Sequence, residues 1–142
     1  MDLKKSVAIF LINPDNKMLF QLRDNKKSIP FPGFWSLIGG GVEGNETDIQ
    51  AIIREIKEEI NCEVKNIALI GEINFFNRKR KLLIYKGEIN TSLENISLME
   101  GQDINFFYKE ELRNLKIPYW LKDFIFKKQF NRSLTNKQKG IG

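Results

Sequence analysis

Histidine is absent from the 142-residue chain, and cysteine occurs once, as Cys62. Without imidazole, Ser-His-Asp and Cys-His catalysis are excluded, as is every zinc site that needs a histidine ligand. Acid-base and metal chemistry, if present, must come from carboxylates, amines and backbone. One cysteine allows no intrachain disulfide, so a reducing compartment is expected. Only 4 prolines and 10 glycines accompany 42% hydrophobic and 29% charged residues, which excludes a disordered, collagenous or low-complexity chain. Long apolar runs are also missing. Val7 to Ile12 follows a weakly basic start but is stopped by Asn13-Pro14-Asp15, too early for a signal sequence or a membrane span. It reads as the first strand of a cytoplasmic protein.

The length fits one domain, residues 1–142, able to bury roughly two-thirds of its unfolded surface without a disulfide or structural metal. Lys and Arg number 23 against 18 Asp and Glu, a net charge of +5. That surplus favours anionic partners through steering, without choosing between nucleotide, nucleic acid and membrane.

Val7–Ile12 and Met18–Leu22 are β-rich runs flanking a turn-forming segment, which predicts a hairpin. A loop from Asp24 to Phe34 follows, then a short strand over Trp35–Ile38 that Gly39-Gly40-Gly41 is expected to end. Thr47 with Gln50 makes a capping box, and Ile49, Ile52, Ile53, Ile56 and Ile60 then recur at helical spacing as one core-facing stripe. Asn61 suits a left-handed stop. Strands are predicted over Glu63–Phe76 and Lys81–Ile89, with Asn77-Arg78-Lys79-Arg80 as a basic turn. A polar loop over 90–102 precedes a strand at Asp103–Tyr108, a helical stretch at Glu110–Leu115 and a terminal helix over Tyr119–Phe130; residues 131–142 read as a frayed tail. This order implies an α/β domain, a mixed β-sheet with helices layered against it.

The chemistry concentrates after the glycines. Successive helical residues turn about 100°, so Glu55, Glu58 and Glu59 fall close together, about 120° from the isoleucine stripe, and repel one another. An acidic helix face is ordinarily just solvated. The alternative is a hard divalent cation, since Mg²⁺ prefers carboxylate oxygens and shares its shell with water and substrate phosphates. Glycines next to the helix let backbone approach an ion or phosphate closely.

The spacing Gly40-x5-Glu46-x7-Arg54-Glu55-Ile56-x-Glu58-Glu59-x-Asn61-Cys62 resembles the Nudix box, G-x5-E-x7-R-E-U-x-E-E-x-G-U with U a bulky apolar residue. Every strongly specified polar position matches. The final Gly is replaced by Asn61, which tolerates the same left-handed backbone, so a small stability loss with intact chemistry is expected. Phe34-Trp35-Ser36-Leu37 also looks like the family's strand entering its loop-helix-loop. As motif the resemblance covers residues 34–62; as architecture it covers most of the chain and implies a Nudix-type α/β/α sandwich.

The resemblance implies hydrolysis of a phosphoanhydride in a nucleoside diphosphate linked to a group X, with Mg²⁺ or sometimes Mn²⁺ as cofactor. It implies Glu58 and Glu59 as main metal ligands, Glu55 as a third ligand or water-orienting base, and the Gly40 carbonyl in the same site. Glu46 and Arg54 would be structural. Many members use one more acidic residue from a later loop, for which Glu100 is the candidate, with Glu94 and Asp103 as rivals; each also reads as a solvated loop carboxylate. Arg23 is a candidate for holding a phosphate, against a plain surface charge. Trp35 and Phe31 are candidates for stacking a base, although aromatics entering a core more often pack. Asn77 to Lys81 reads as a solvated turn rather than an RNA contact.

A nucleoside triphosphate and a nucleotide-sugar or dinucleotide fit the box equally, and a homodimer is compatible with the second group. A small nucleotide substrate is expected, with no DNA or membrane partner and no dedicated RNA-binding segment. The competing readings are a nucleotide-sensing module that has lost hydrolysis and an RNA 5′-end pyrophosphohydrolase. Sensors commonly lack box glutamates, and all are present here.

Overall fold

The computed structural model describes residues 3–127. β1 (Lys4–Ile12) and β2 (Met18–Leu22) form the predicted hairpin, with β1 beginning three residues earlier than its apolar run. Its turn is organised by Asn13, whose Oδ1 accepts from the N–H groups of Asp15 and Lys17, and by Asn16 in the left-handed region. The two strands register at Ile12 and Met18 and then diverge. Into the opening runs the next segment, as β3 (Trp35–Ser36) on β2 and β4 (Ile38–Gly41) on β1. Leu37 is the crossing point.

The glycine run therefore does not end a strand. Gly39, Gly40 and Gly41 continue one, registered against Ala8, Val7 and Ser6. The physical reason is lack of space. A Cβ on Gly39 would collide with the Val7 carbonyl, and one on Gly40 with the Glu55 carboxylate.

α1 (Asp48–Glu59) is capped as its sequence suggests: Gln50 N–H donates to Thr47 Oγ1 at 3.2 Å and Thr47 N–H to Gln50 Oε1 at 2.9 Å. At its far end Ile60 and Asn61 both donate to the Ile56 carbonyl, and Asn61 adopts φ 49°. The core-facing stripe differs from the expected one. Ile52, Ile56 and Ile60 are buried with Ala51, whereas Ile49 and Ile53 are 37% and 53% exposed. The helix is turned toward Ala51 and Glu59 because the glycine strand beneath leaves room for carboxylates there.

β5 (Val64–Phe75) and β6 (Arg80–Ile89) make a long antiparallel hairpin with irregular register near Lys65–Ala68 and Leu69–Gly71. Its tip is a 3₁₀ turn, Phe76–Arg78, followed by left-handed Lys79. β6 lies parallel to β1, from Lys4–Arg80 to Ile12–Glu88, and β7 (Asp103–Phe107) is antiparallel to β2. The stretch expected to be helical near Glu110 is a 3₁₀ helix over Lys109–Asn114. α2 (Tyr119–Phe126) ends four residues before its predicted limit, with Lys127 already extended. Phe130 and the tail 131–142 lie outside the described residues.

The layers follow from strand alternation. Val7, Ile9 and Leu11 pack with Leu83, Tyr85 and α1 on one face. Ala8, Phe10 and Ile12 pack with Phe20, Ile84 and the Leu121, Phe124 and Ile125 side chains of α2 on the other. This is the α/β/α sandwich, and among the described residues no helix is long and apolar enough to cross a membrane.

Because Gly39 has backbone where a methyl would go, Gly39→Ala should destabilise the protein by about 3 kcal/mol. Chemical denaturation would measure it; an unchanged midpoint would show that β4 can move aside freely.

Candidate active site

The thin β4 strand brings α1 close enough for its acidic side chains to rest on backbone. Glu59 is only 6% exposed, and its Oε2 is buried with no hydrogen-bond partner. The Gly39 N–H bonds to this carboxylate, and Arg23 exerts a favourable field, but burial and the neighbouring Glu55 and Glu100 charges dominate. They push its pKa up to about 8. Glu55 is also raised, chiefly by burial, with Arg54 opposing the shift. Glu58 sits at the rim, its side chain 53% exposed.

Arg54 organises the acidic residues through one guanidinium. Its Nε and Nη2 donate to the two Glu46 oxygens at 2.7 and 3.0 Å, a fork-to-fork pair. Nη2 also donates to the Gly41 carbonyl at 2.9 Å, and Nη1 to Glu55 Oε1 at 2.9 Å and Glu58 Oε2 at 3.5 Å. Glu46 in turn accepts from the Glu43 N–H. Loop, glycine strand and helix face are thereby tied at one point, and the Glu46 carboxyl is held below its usual pKa by Arg54.

The loop before β7 adds a further carboxylate, that of solvent-exposed Glu100. Met99 N–H donates to the Glu59 carbonyl, Gln21 Nε2 to the Glu100 carbonyl at 2.7 Å, and Gln102 N–H to the Leu22 carbonyl. Gly101, at φ 87°, lies against Leu22 and Gln21 where a side chain would not fit. Glu100 is thus the loop acid whose charge reaches Glu55 and Glu59. Its two rivals are elsewhere: Asp103 accepts from Ile104 N–H at the start of β7, and exposed Glu94 lies in the 3₁₀ turn Leu93–Asn95.

Beside β4 opens a cleft of about 470 Å³. Gly39, Gly40 and Gly41 form one wall, Ser6, Ala8 and Leu82 the floor, and Arg23, Arg78, Arg80, Phe31, Phe75 and Trp120 the rest of its rim. Arg23 is fixed by a 2.9 Å bond from Nε to the Pro30 carbonyl. Phe31 lines the cleft, but Trp35 does not: its ring meets Phe107 edge-on at 5.2 Å, within the core. Trp120, Arg78 and Arg80 are the lining residues that sequence reasoning passed over. The basic turn is solvent-exposed at Asn77–Lys79, as expected, yet it also delivers two arginines to the cleft. The parallel pairing of β6 with β1 carries them there.

A family model described as the NUDIX domain matches residues 2–126. The chain belongs to the Nudix family. Among its relatives, an RNA pyrophosphohydrolase of Pelagibacter ubique is 33% identical over 111 residues, 72% of this chain and 66% of that protein. An ADP-ribose pyrophosphatase of Methanocaldococcus jannaschii is 44% identical over 61 residues, 43% of this chain and 34% of that protein. The chain thus spans between about a third and two-thirds of the length of such relatives. Two solved structures share the fold. The MutT protein from Methanosarcina mazei aligns at TM-score 0.73 with 22% identity, covering 93% of this chain and 95% of that one. The Nudix domain of Shewanella oneidensis NrtR, complexed with ADP ribose, aligns at 0.74 with 17% identity, covering 94% and 90%.

Nudix hydrolases generally use divalent metal ions, and the donor set here fits one. An orphaned buried carboxylate oxygen stands beside two further carboxylates, all oxygen donors of the kind Mg²⁺ selects. Among the described residues, no three acidic, cysteine or histidine side chains enclose an ion by themselves.

Native Glu59 holds its proton up to about pH 8, whereas an ordinary glutamate releases it near 4.5. Between those values the native state binds more protons than the unfolded state, so stability falls as pH rises through the window. In EDTA the loss should be on the order of 4 kcal/mol. Melting temperatures across pH 5–8.5 would measure it, and Glu59→Gln should flatten the slope. A wild-type curve already flat in EDTA would contradict this assignment.

Proposed function

We propose that this Nudix domain catalyses Mg²⁺-dependent hydrolysis of a phosphoanhydride bond in a nucleoside diphosphate linked to X, releasing a nucleoside monophosphate and phosphorylated X. One observation carries the reading: the unpartnered Glu59 oxygen, grouped with Glu55 and Glu100, beside an arginine-lined cleft. Glu58, Glu59 and the Gly40 carbonyl would hold the cation, with Glu55 as a third ligand or as the group that orients water. When bound, the ion supplies charge neutralisation on the bridging phosphates and a lowered pKa for the attacking water.

The protein's own groups account for the remainder. Water adds to one phosphorus, the bridging P–O bond breaks, and the leaving phosphate takes the electron pair. The water proton passes to a carboxylate, for which Glu55 and Glu100 are the candidates. Arg23, fixed by Pro30, holds a phosphate oxygen against the glycine wall. Arg54 and Glu46 fix the helix face, which supports catalysis by positioning. Phe31, with Trp120 from α2, would bound the base, whereas Trp35 packs on Phe107 and is not part of the lining. The lone cysteine and absence of disulfides favour the cytoplasm as its site of action.

A second reading, an RNA 5′-end pyrophosphohydrolase, is supported by the names of several relatives and by the cationic cleft. A sensing module is disfavoured because every box glutamate is in place.

A panel of nucleoside triphosphates, ADP-ribose, dinucleotides and triphosphorylated RNA, assayed with Mg²⁺ at mildly alkaline pH, tests the proposal. Turnover of one group is expected, with kcat reduced about 10²–10³-fold in Glu58→Gln and Glu59→Gln. No turnover by folded protein that binds Mg²⁺ would refute hydrolysis and favour sensing.

A further inference from the structure

The Nudix box leaves X open, but the cleft narrows it. Its lining contains three arginines and two serines and no aspartate or glutamate. Among the described residues, neither Arg78 nor Arg80 pairs with a carboxylate. Both are nevertheless held in place. Arg80 Nη1 donates to Ser6 Oγ at 2.8 Å. Arg78 stands between two rings, its guanidinium carbon 5.4 Å from the Phe31 centroid and 5.5 Å from the Phe75 centroid. Phe75 is itself braced edge-on by Trp120 at 5.8 Å.

Guanidinium groups pre-positioned without counter-charges repel one another until an anion enters, and their planar donor sets match phosphate oxygens. A carboxylate in the lining would repel an additional phosphate, and none lines this cleft. Arg23, held by its bond to the Pro30 carbonyl, enters the cleft from the end of β2. Arg78 and Arg80 reach the cleft from the β5–β6 hairpin, a different element, and add two positive charges to its lining.

We propose, resting on the hydrolase reading above, that Arg78 and Arg80 select substrates in which X is itself phosphate, so that the substrate is a 5′-triphosphate rather than a diphosphate capped by an uncharged sugar. The triphosphate has two sources, a free nucleotide and an RNA 5′ end, which share this chemistry. The preference is one of binding, so it is present before any bond is broken.

Titration calorimetry of the full chain in EDTA, with ATP, a 5′-triphosphorylated trinucleotide and ADP-ribose, reads it directly. Both triphosphates are expected to bind at least tenfold more tightly than ADP-ribose. Arg80→Gln and Arg78→Gln should each cut that preference about tenfold, while Arg80→Lys keeps most of it. Arg113→Ala, on the separate surface around Phe126, should leave it intact and controls for net charge. Tighter binding of the trinucleotide than of ATP would assign the RNA end as the source, and the reverse order the free nucleotide. Equal or tighter binding of ADP-ribose, or an equal loss for all three ligands in Arg80→Gln, would overturn the proposal. If the binding preference holds but nothing is hydrolysed with Mg²⁺, the hydrolase reading fails by itself. If ADP-ribose is hydrolysed with no triphosphate preference, that reading survives and this one does not.

Discussion

Helix α1 can place carboxylates beneath itself only because β4 has no side chains there. Gly39 is pressed on the Val7 carbonyl and Gly40 on the Glu55 carboxylate, so the strand presents bare backbone to the helix. A side chain at Gly39 would part β4 from β1, and one at Gly40 would displace the Glu55 carboxylate. With glycine, Glu59 is buried beside Ile56 and Ile60, and its second oxygen has no protein partner. An isolated ionised carboxylate in such a place is costly, and the group responds by holding its proton.

That buried acid sets up a charge arrangement with two sides. On the carboxylate side, Arg54 compensates part of the repulsion by bonding Glu46, Glu55 and the Gly41 carbonyl at once, which fixes helix, strand and loop together. On the cleft side, three arginines stand without acidic neighbours in the lining. A polyphosphate lying between the two sides, with a cation at the acidic one, would relieve both imbalances. The separation of opposite charges across one glycine strand therefore links the packing of the core to the chemistry proposed for it.

Much of this was legible in the sequence, for reasons that can be named. The capping box at Thr47, the stop at Asn61 and the box spacing depend on local geometry, which a sequence states directly. The glycine run was harder. Read locally, Gly39-Gly40-Gly41 ends a strand; only the approach of β1 on one side and α1 on the other shows that it continues one. The same contact explains why Ile49 and Ile53 face outward, since the helix is rolled toward its acids. Glu100 could be singled out as a loop acid, but what places it is Gln21, seventy-nine residues away in sequence. Arg78 and Arg80 were obscured for a similar reason. Their segment is a turn in sequence, and it reaches the cleft only through the parallel β1–β6 pairing, which periodicity does not reveal.

The proposed cation site under α1 depends on the bare backbone of Gly39–Gly41 in β4. Mn²⁺ titration followed by electron paramagnetic resonance, on wild type and Gly40→Ala, tests it without reference to any substrate. Wild type is expected to bind Mn²⁺ and Gly40→Ala to lose at least about tenfold in affinity, roughly 1.4 kcal/mol, while circular dichroism shows the fold retained. Equal Mn²⁺ affinity in a folded Gly40→Ala protein would contradict it, because the carboxylates would then hold the ion without the close backbone approach.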